Sequence, residues 1–216
     1  MPEPLPTAPN HHADHPGFSG IAGVVAGLSM LIGRGDVARL VAELADVGGL
    51  DHVVDVGCGP GAAAREAARR GARVSAVDPA PVMLAIARRL SRTERISWLQ
   101  GAAEALPVAD DSATVLWSIA TVHHWPDLDG GLTEAFRVLN RGGQLLAVER
   151  RTQPGARGLG SHGWTEAQAE SFAQRCLAAG FAEVHVGTHG SGRRCQLVVC
   201  ANRPDATCLD TGASHD

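Results

Sequence analysis

Two groups of residues in this chain are of types and spacings that do chemistry. The first is Val53-Val54-Asp55-Val56-Gly57-Cys58-Gly59-Pro60-Gly61, an apolar run ending in an acid and followed by three glycines at alternate positions. Glycine opens positive φ and, having no Cβ, lets a ligand approach the backbone. An Ala-rich helix is expected next, over 61–70. Its free N–H groups and positive dipole end suit an anionic group. A second apolar run ends in Asp78, 23 positions after Asp55. A βαβ unit places an acid over a ribose at about that distance. A carboxylate there accepts from both ribose hydroxyls and repels a 2′-phosphate, so the expected ligand is an unphosphorylated adenosine. The second group is His123-His124-Trp125-Pro126-Asp127. Imidazole titrates near neutral pH, so one histidine could act as general base on a hydroxyl or amine nucleophile. The other reading is a histidine that holds its loop by hydrogen bonds.

Positioning these groups requires a sheet. Strands are expected over 52–56, 73–77, 95–99, 113–119 and 143–149, and helices over 61–70, 80–90 and 128–139. Such alternation predicts an α/β fold, a parallel sheet with helices on both faces. Thr165 should cap a helix running to Ala179, with Gly180 after its end. Two further apolar runs, Phe181 to Val186 and Cys195 to Cys200, flank the Gly-rich Gly187 to Gly192 and look like an antiparallel hairpin. Upstream, Val37, Leu40, Val41 and Leu44 have helical spacing, so a helix is expected over 36–46 with Asp36 as its cap.

The chain resembles the class I methyltransferases that use S-adenosylmethionine. The resemblance covers residues from about 48 to 201 and rests on the Gly57-x-Gly59-x-Gly61 spacing, Asp78, the Gly101 to Pro107 stretch, the His-His-x-Pro-Asp run and Arg137-Val138-Leu139-x-x-Gly142-Gly143. It is similar to the group of small-molecule enzymes that includes the ubiquinone and menaquinone type. The dinucleotide fingerprint G-x-G-x-x-G would need a glycine at position 62, where Ala62 stands. The resemblance implies a Rossmann-like seven-stranded sheet of order 3-2-1-4-5-7-6 with strand 7 antiparallel. It implies S-adenosylmethionine as cofactor, S-adenosylhomocysteine as product, and O- or C-directed methyl transfer to a small-molecule acceptor. Two other readings stand beside it: a non-catalytic protein that binds the same cofactor, and an NAD-dependent oxidoreductase.

Carried onto this sequence, the resemblance assigns cofactor contacts. Gly57, Cys58, Gly59 and Gly61 would line the methionine end, and Asp55 would accept from its ammonium. Asp78 and Pro79 would meet the ribose. Met83 would pack on the adenine, a thioether being a good partner for an aromatic face. Many relatives carry an aspartate for the adenine where Ala102 stands; with that carboxylate missing, the backbones of Ala102 and Ala103 would read the adenine instead. Ser118 would lie near the cofactor, and His123 and His124 are the catalytic candidates. At Thr114 relatives usually have an aspartate.

Composition narrows the remaining classes. The formal net charge is −4 with no basic tract, so nucleic acid is not expected as a partner. All 19 basic residues are arginine, which removes P-loop and Schiff-base lysines. The five cysteines match no zinc spacing, no metal is expected, and reduced thiols point to the cytoplasm. Residues 1–17 carry five prolines with His11, His12 and His15, and read as a disordered tail, as does 204–216. Residues 18–47 are expected to form an N-terminal helical lid, and 48–203 the catalytic domain. The apolar run within 18–33 is shorter than the roughly 20 residues that span a bilayer, and it lacks the basic leader of a signal peptide. Arg150, Arg151 and Arg157 sit in a Gly, Arg and Ser loop, either as anchors for an acidic substrate group or as a solvated surface.

Overall fold

Strand β1, His52–Val56, is buried along its whole length, as a central strand covered on both faces must be. It pairs in parallel with β2, Arg73–Asp78, on one side and β4, Ala113–Ile119, on the other. The computed structural model describes residues 34–156 and 162–205. Within them β3 is Ile96–Gln100, β5 is Leu139–Arg150, β6 is Ala182–His189 and β7 is Gln196–Asn202. The helices are α1, Arg34–Leu44; α2, Ala62–Arg69; α3, Pro81–Leu90; α4, Leu128–Val138; and α5, Glu166–Ala178. The seven strands form one sheet in the order β3-β2-β1-β4-β5-β7-β6. Strand β7 runs antiparallel to both β5 and β6. This is the expected methyltransferase sheet. The inserted antiparallel strand separates it from the 3-2-1-4-5-6 order of dinucleotide folds.

Side-chain alternation along the strands sorts the core into two layers. Val54 and Val56 face one layer with Leu116, Leu145 and the inner sides of α4 and α5. Val53 faces the other with Val115, Trp117, Val148 and residues of α1 and α2. The segment expected to act as a lid is described only from Arg34, and from there it is core. Ala38, Val41 and Ala42 of α1 are buried against α2 residues Ala63, Ala64 and Ala67. The expected tail 1–17, the lid residues 18–33 and the expected tail 204–216 beyond Asp205 lie outside the described residues. None of the described helices is long and apolar enough to cross a membrane.

Two boundaries differ from the sequence reading, each for a local reason. Strand β6 runs on to His189 because Gly187, Thr188 and His189 pair with Val198, Leu197 and Gln196, which shortens the glycine connection. Strand β5 begins at Leu139, where Leu139 pairs with Ala113 across an irregularity in β4. Helix α5 starts as expected. Thr165 accepts from the Gln168 N–H, and Gln168 reaches back to the Thr165 N–H, a full capping box. Thr114, the departure noted in the sequence, ties the start of the sheet together. Its hydroxyl accepts from the His52 N–H at 3.1 Å and donates to Asp51 at 2.7 Å.

Candidate active site

The glycine turn leaves β1 and folds back over the end of β2. The N–H groups of Gly57 and Cys58 both donate to the Val77 carbonyl, at 2.8 and 3.0 Å. Three positive φ angles make this possible: 71° at Gly57, 52° at Gly59 and 79° at Gly61. The surroundings of the three glycines are unequal. A Cβ at Gly57 would come within 2.6 Å of Thr121, and one at Gly61 would strike the Trp98 ring. A Cβ at Gly59 would meet nothing within 4 Å. Gly59 is therefore the open floor of a cradle, with its neighbours packed on either side. Gly61 then starts α2 with no side-chain cap, so the first N–H groups of that helix are not claimed by a capping side chain.

Asp78 closes one wall. Its Oδ2 accepts from the Gly59 N–H at 2.8 Å and its Oδ1 from the Ala80 N–H at 2.9 Å. The carboxyl is buried, and desolvation raises its pKa, partly offset by those two N–H groups. The Gly101 N–H donates to the Asp78 carbonyl, and Ala105 folds back onto Ala102, so the Ala102 and Ala103 turn sits at the end of β2. Pro79 is exposed beside it. Asp55 is buried at the end of β1. Burial first, then the charges of Asp55 and Asp78, push the Cys58 thiol well above its ordinary pKa. Cys58 is a compact neutral side chain there, and both acids act on it.

Two predicted contacts are more enclosed than the sequence suggested. Met83, in the first turn of α3, is only 2% exposed. Ser118 has no exposed surface, and its hydroxyl lies 2.5 Å from that of Thr121, which in turn donates to the Val56 carbonyl. This latch joins the ends of β1 and β4. Ala120, between them, has φ 55° and donates its N–H to the Val148 carbonyl at 2.7 Å. A non-glycine residue in that region is a strained turn at the edge where the strands end.

Beyond the latch, Val122–His124 forms a 3₁₀ turn and Asp127 caps α4 through the Gly130 N–H. His123 Nδ1 lies 2.9 Å from Oε2 of Glu149, a carboxylate of β5 with no exposed surface. A third histidine joins from far along the chain. The Trp164 N–H donates to the Arg150 carbonyl, and the Thr152 N–H to the Trp164 carbonyl, laying the returning segment along the end of β5. Gly163 has φ 133°, and a Cβ there would collide with the Arg150 carbonyl. The Arg150 guanidinium donates to the His162 carbonyl at 2.9 and 3.1 Å. Trp164 stacks on Phe172 with centroids 4.9 Å apart, which anchors the return. His162 thus reaches ring contact with His123 and His124, at centroid separations of 5.6 and 5.8 Å, while those two are 4.0 Å apart. One ring nitrogen of each lies within 4.8 Å of the others. The sequence reading, which expected no metal, did not foresee this cluster, because His162 comes from a separate loop. Arg150 is a structural clamp, Arg151 pairs with Glu166 at 2.8 Å, and Arg157 lies outside the described residues.

Comparison with known proteins fits this geometry. Residues 54–147 match the family described as methyltransferase domain. The demethylmenaquinone methyltransferase of Tropheryma whipplei is 36% identical over 112 residues, covering 51% of this chain and 46% of that protein. The malonyl-[acyl-carrier protein] O-methyltransferase of Serratia marcescens is 36% identical over 96 residues, covering 44% of this chain and 37% of that protein. The chain thus spans less than half the length of either relative. Among solved structures, a SAM-dependent methyltransferase from Aquifex aeolicus superposes with a TM-score of 0.67 at 16% identity, covering 82% of this chain and 97% of that one. The sheet order and the glycine turn at the end of β1 are those of the class I S-adenosylmethionine-dependent methyltransferase fold, and the matched segment 54–147 is similar to the methyltransferase domain family.

Proposed function

We propose that the protein transfers the methyl group of S-adenosylmethionine to a small-molecule acceptor, at oxygen or carbon. The observation that carries this reading is the cradle at Gly59, open where a side chain would stand and walled by the Asp78 carboxylate that its own N–H holds. When bound, the cofactor supplies an electrophilic methyl group on a sulfonium. The residues of the chain bind and orient it. Asp78 keeps acceptor capacity on both oxygens for the ribose hydroxyls, Asp55 offers negative charge to the ammonium, and the backbones of Ala102 and Ala103 meet the adenine beside Met83. Methyl transfer from a sulfonium depends mainly on proximity and alignment. A base adds to this where the acceptor must shed a proton. His123 is the better placed of the pair, because Glu149 fixes its ring. The acceptors that the names of the two relatives above give, demethylmenaquinone and malonyl-[acyl-carrier protein], bracket the classes to screen.

Isothermal titration with S-adenosylmethionine, S-adenosylhomocysteine and NAD tests the cofactor reading. The expected result is micromolar binding of the first two and none of NAD. Binding of NAD alone overturns it. With an acceptor in hand, His123→Ala should lower kcat by about 10²–10⁴ at unchanged cofactor affinity. Full turnover in that variant removes the base assignment and leaves the cofactor reading intact.

A further inference from the structure

We propose that His123, His124 and His162 form a binding site for one borderline divalent cation, zinc foremost, at the ends of β4 and β5. Nothing in the cofactor chemistry calls for three histidines to meet. They converge from two separate segments, and their ring nitrogens lie within 4.8 Å of one another. Imidazole is a donor that suits zinc, nickel, copper and iron, not magnesium or calcium. A tetrahedral zinc ion with Zn–N of about 2.0–2.1 Å holds its nitrogens roughly 3.4 Å apart. Closing from at most 4.8 Å asks each ring to move by about an ångström or less. Two of the rings share the 3₁₀ turn, whose His124 N–H donates to the Thr121 carbonyl. The third is carried by a segment clamped through its carbonyl to Arg150. The frame is therefore built before an ion arrives.

Glu149 is the independent observation. It lies fully buried on β5, accepts from His123 Nδ1 at 2.9 Å, and leaves Oε1 with no hydrogen-bond partner. A carboxylate behind a ligating imidazole fixes the tautomer so that the other nitrogen faces the metal, and raises the basicity of the ring. It also supplies the negative charge that three neutral imidazoles lack. Three protein ligands leave one position of a tetrahedral ion for water or an incoming oxygen. The turn that carries two of the rings leaves the sheet beside the glycine turn, since Thr121, two residues before His123, is what a Cβ at Gly57 would touch. Resting on the methyltransferase reading, the ion would seat an acceptor oxygen beside the methyl donor. With the ion bound, His123 is a ligand and no longer a base.

The test uses the full chain with His11, His12 and His15 each changed to alanine, so that the N-terminal histidines contribute no ion. After chelator treatment the protein is titrated with Zn²⁺ against a chromophoric chelator, and with Co²⁺ followed by visible absorption. The expected result is one Zn²⁺ per chain and the intense bands of four-coordinate Co²⁺. His162→Ala and His162→Gln, checked for folding by circular dichroism, should weaken Zn²⁺ binding at least 100-fold. Glu149→Gln should keep the one-ion stoichiometry with affinity lowered about 10–100-fold. Absence of a bound ion in the parent chain overturns the proposal. So does undiminished binding in both His162 variants. No methyl donor is present in these titrations, so their outcome is independent of whether the chain methylates anything.

Discussion

Replacing Asp78 by alanine separates the two jobs this carboxylate holds. In the free protein its oxygens accept the Gly59 and Ala80 N–H groups at 2.8 and 2.9 Å. Hydrogen bonds to a charged group contribute about 1.5–3 kcal/mol each. Part of that is spent on burying the charge, which is why the pKa of Asp78 stands above its ordinary value. The net loss of stability should be about 2–3 kcal/mol, a marked but survivable fall. Binding should suffer more. Two ribose hydroxyls donating to the same carboxylate are worth roughly 3–6 kcal/mol together, so the Kd for S-adenosylhomocysteine should rise by about 10²–10⁴. Asp78→Asn keeps the shape and one acceptor but turns an NH₂ toward one of the two N–H donors, and should fall between. The measurement is isothermal titration on variants whose circular dichroism matches wild type, well below their melting temperatures. A folded Asp78→Ala protein that binds S-adenosylhomocysteine within about threefold of wild type refutes the ribose assignment.

Four other outcomes are expected. Gly59→Ala should cost about 1–2 kcal/mol of stability through its positive φ and abolish most cofactor binding, because the added methyl enters the open cradle. Gly61→Ala should instead cost about 2–5 kcal/mol, since the same backbone penalty is joined by overlap with Trp98; urea unfolding and titration together separate the two cases. Thr121→Val removes the hydroxyl shared by Ser118 and the Val56 carbonyl and should destabilise by about 1–3 kcal/mol in the same unfolding assay. His52 is buried between the Ser112 carbonyl and the Ser75 hydroxyl, and burial lowers its pKa below 6.5. The unfolded chain takes up a proton there that the folded chain refuses, so stability should fall as pH drops below 6.5, by up to about 1.4 kcal/mol per unit; His52→Leu should flatten that slope.

Much of this was legible in the sequence because local rules agreed with the global fold. The alternation of strand and helix, the glycine turn, the acid ending β2 and the Thr165 cap each depend on a few neighbouring residues, and each sits where local chemistry puts it. What escaped were contacts between distant parts of the chain. Trp98 under Gly61 and Thr121 against Gly57 join residues 37 and 64 positions apart, and nothing in either segment names its partner. The approach of His162 to His123 depends on Gly163, Arg150 and Trp164 together. The last carries a signal only in hindsight, as a lone tryptophan closing a polar loop. Glu149 left a fainter trace, an acid at the end of the apolar run Leu145 to Val148. An exposed strand end explains such a residue equally well until burial is known.

Burial is what gives Glu149 its meaning. A carboxylate with no exposed surface carries a desolvation cost of several kcal/mol, and a single partner seldom returns it. An apolar residue of similar size in β5 would serve the core at least as well, since Leu146 and Val148 beside it are fully packed. Stability therefore does not account for the acid, whereas orientation of His123 does. The same holds for the strained turn at Ala120 and for the open glycine at position 59, each a small loss to the fold at the edge where the strands end. Three unfavourable local choices gathered along one edge of the sheet mark that edge as the place where the chain gives up stability for chemistry.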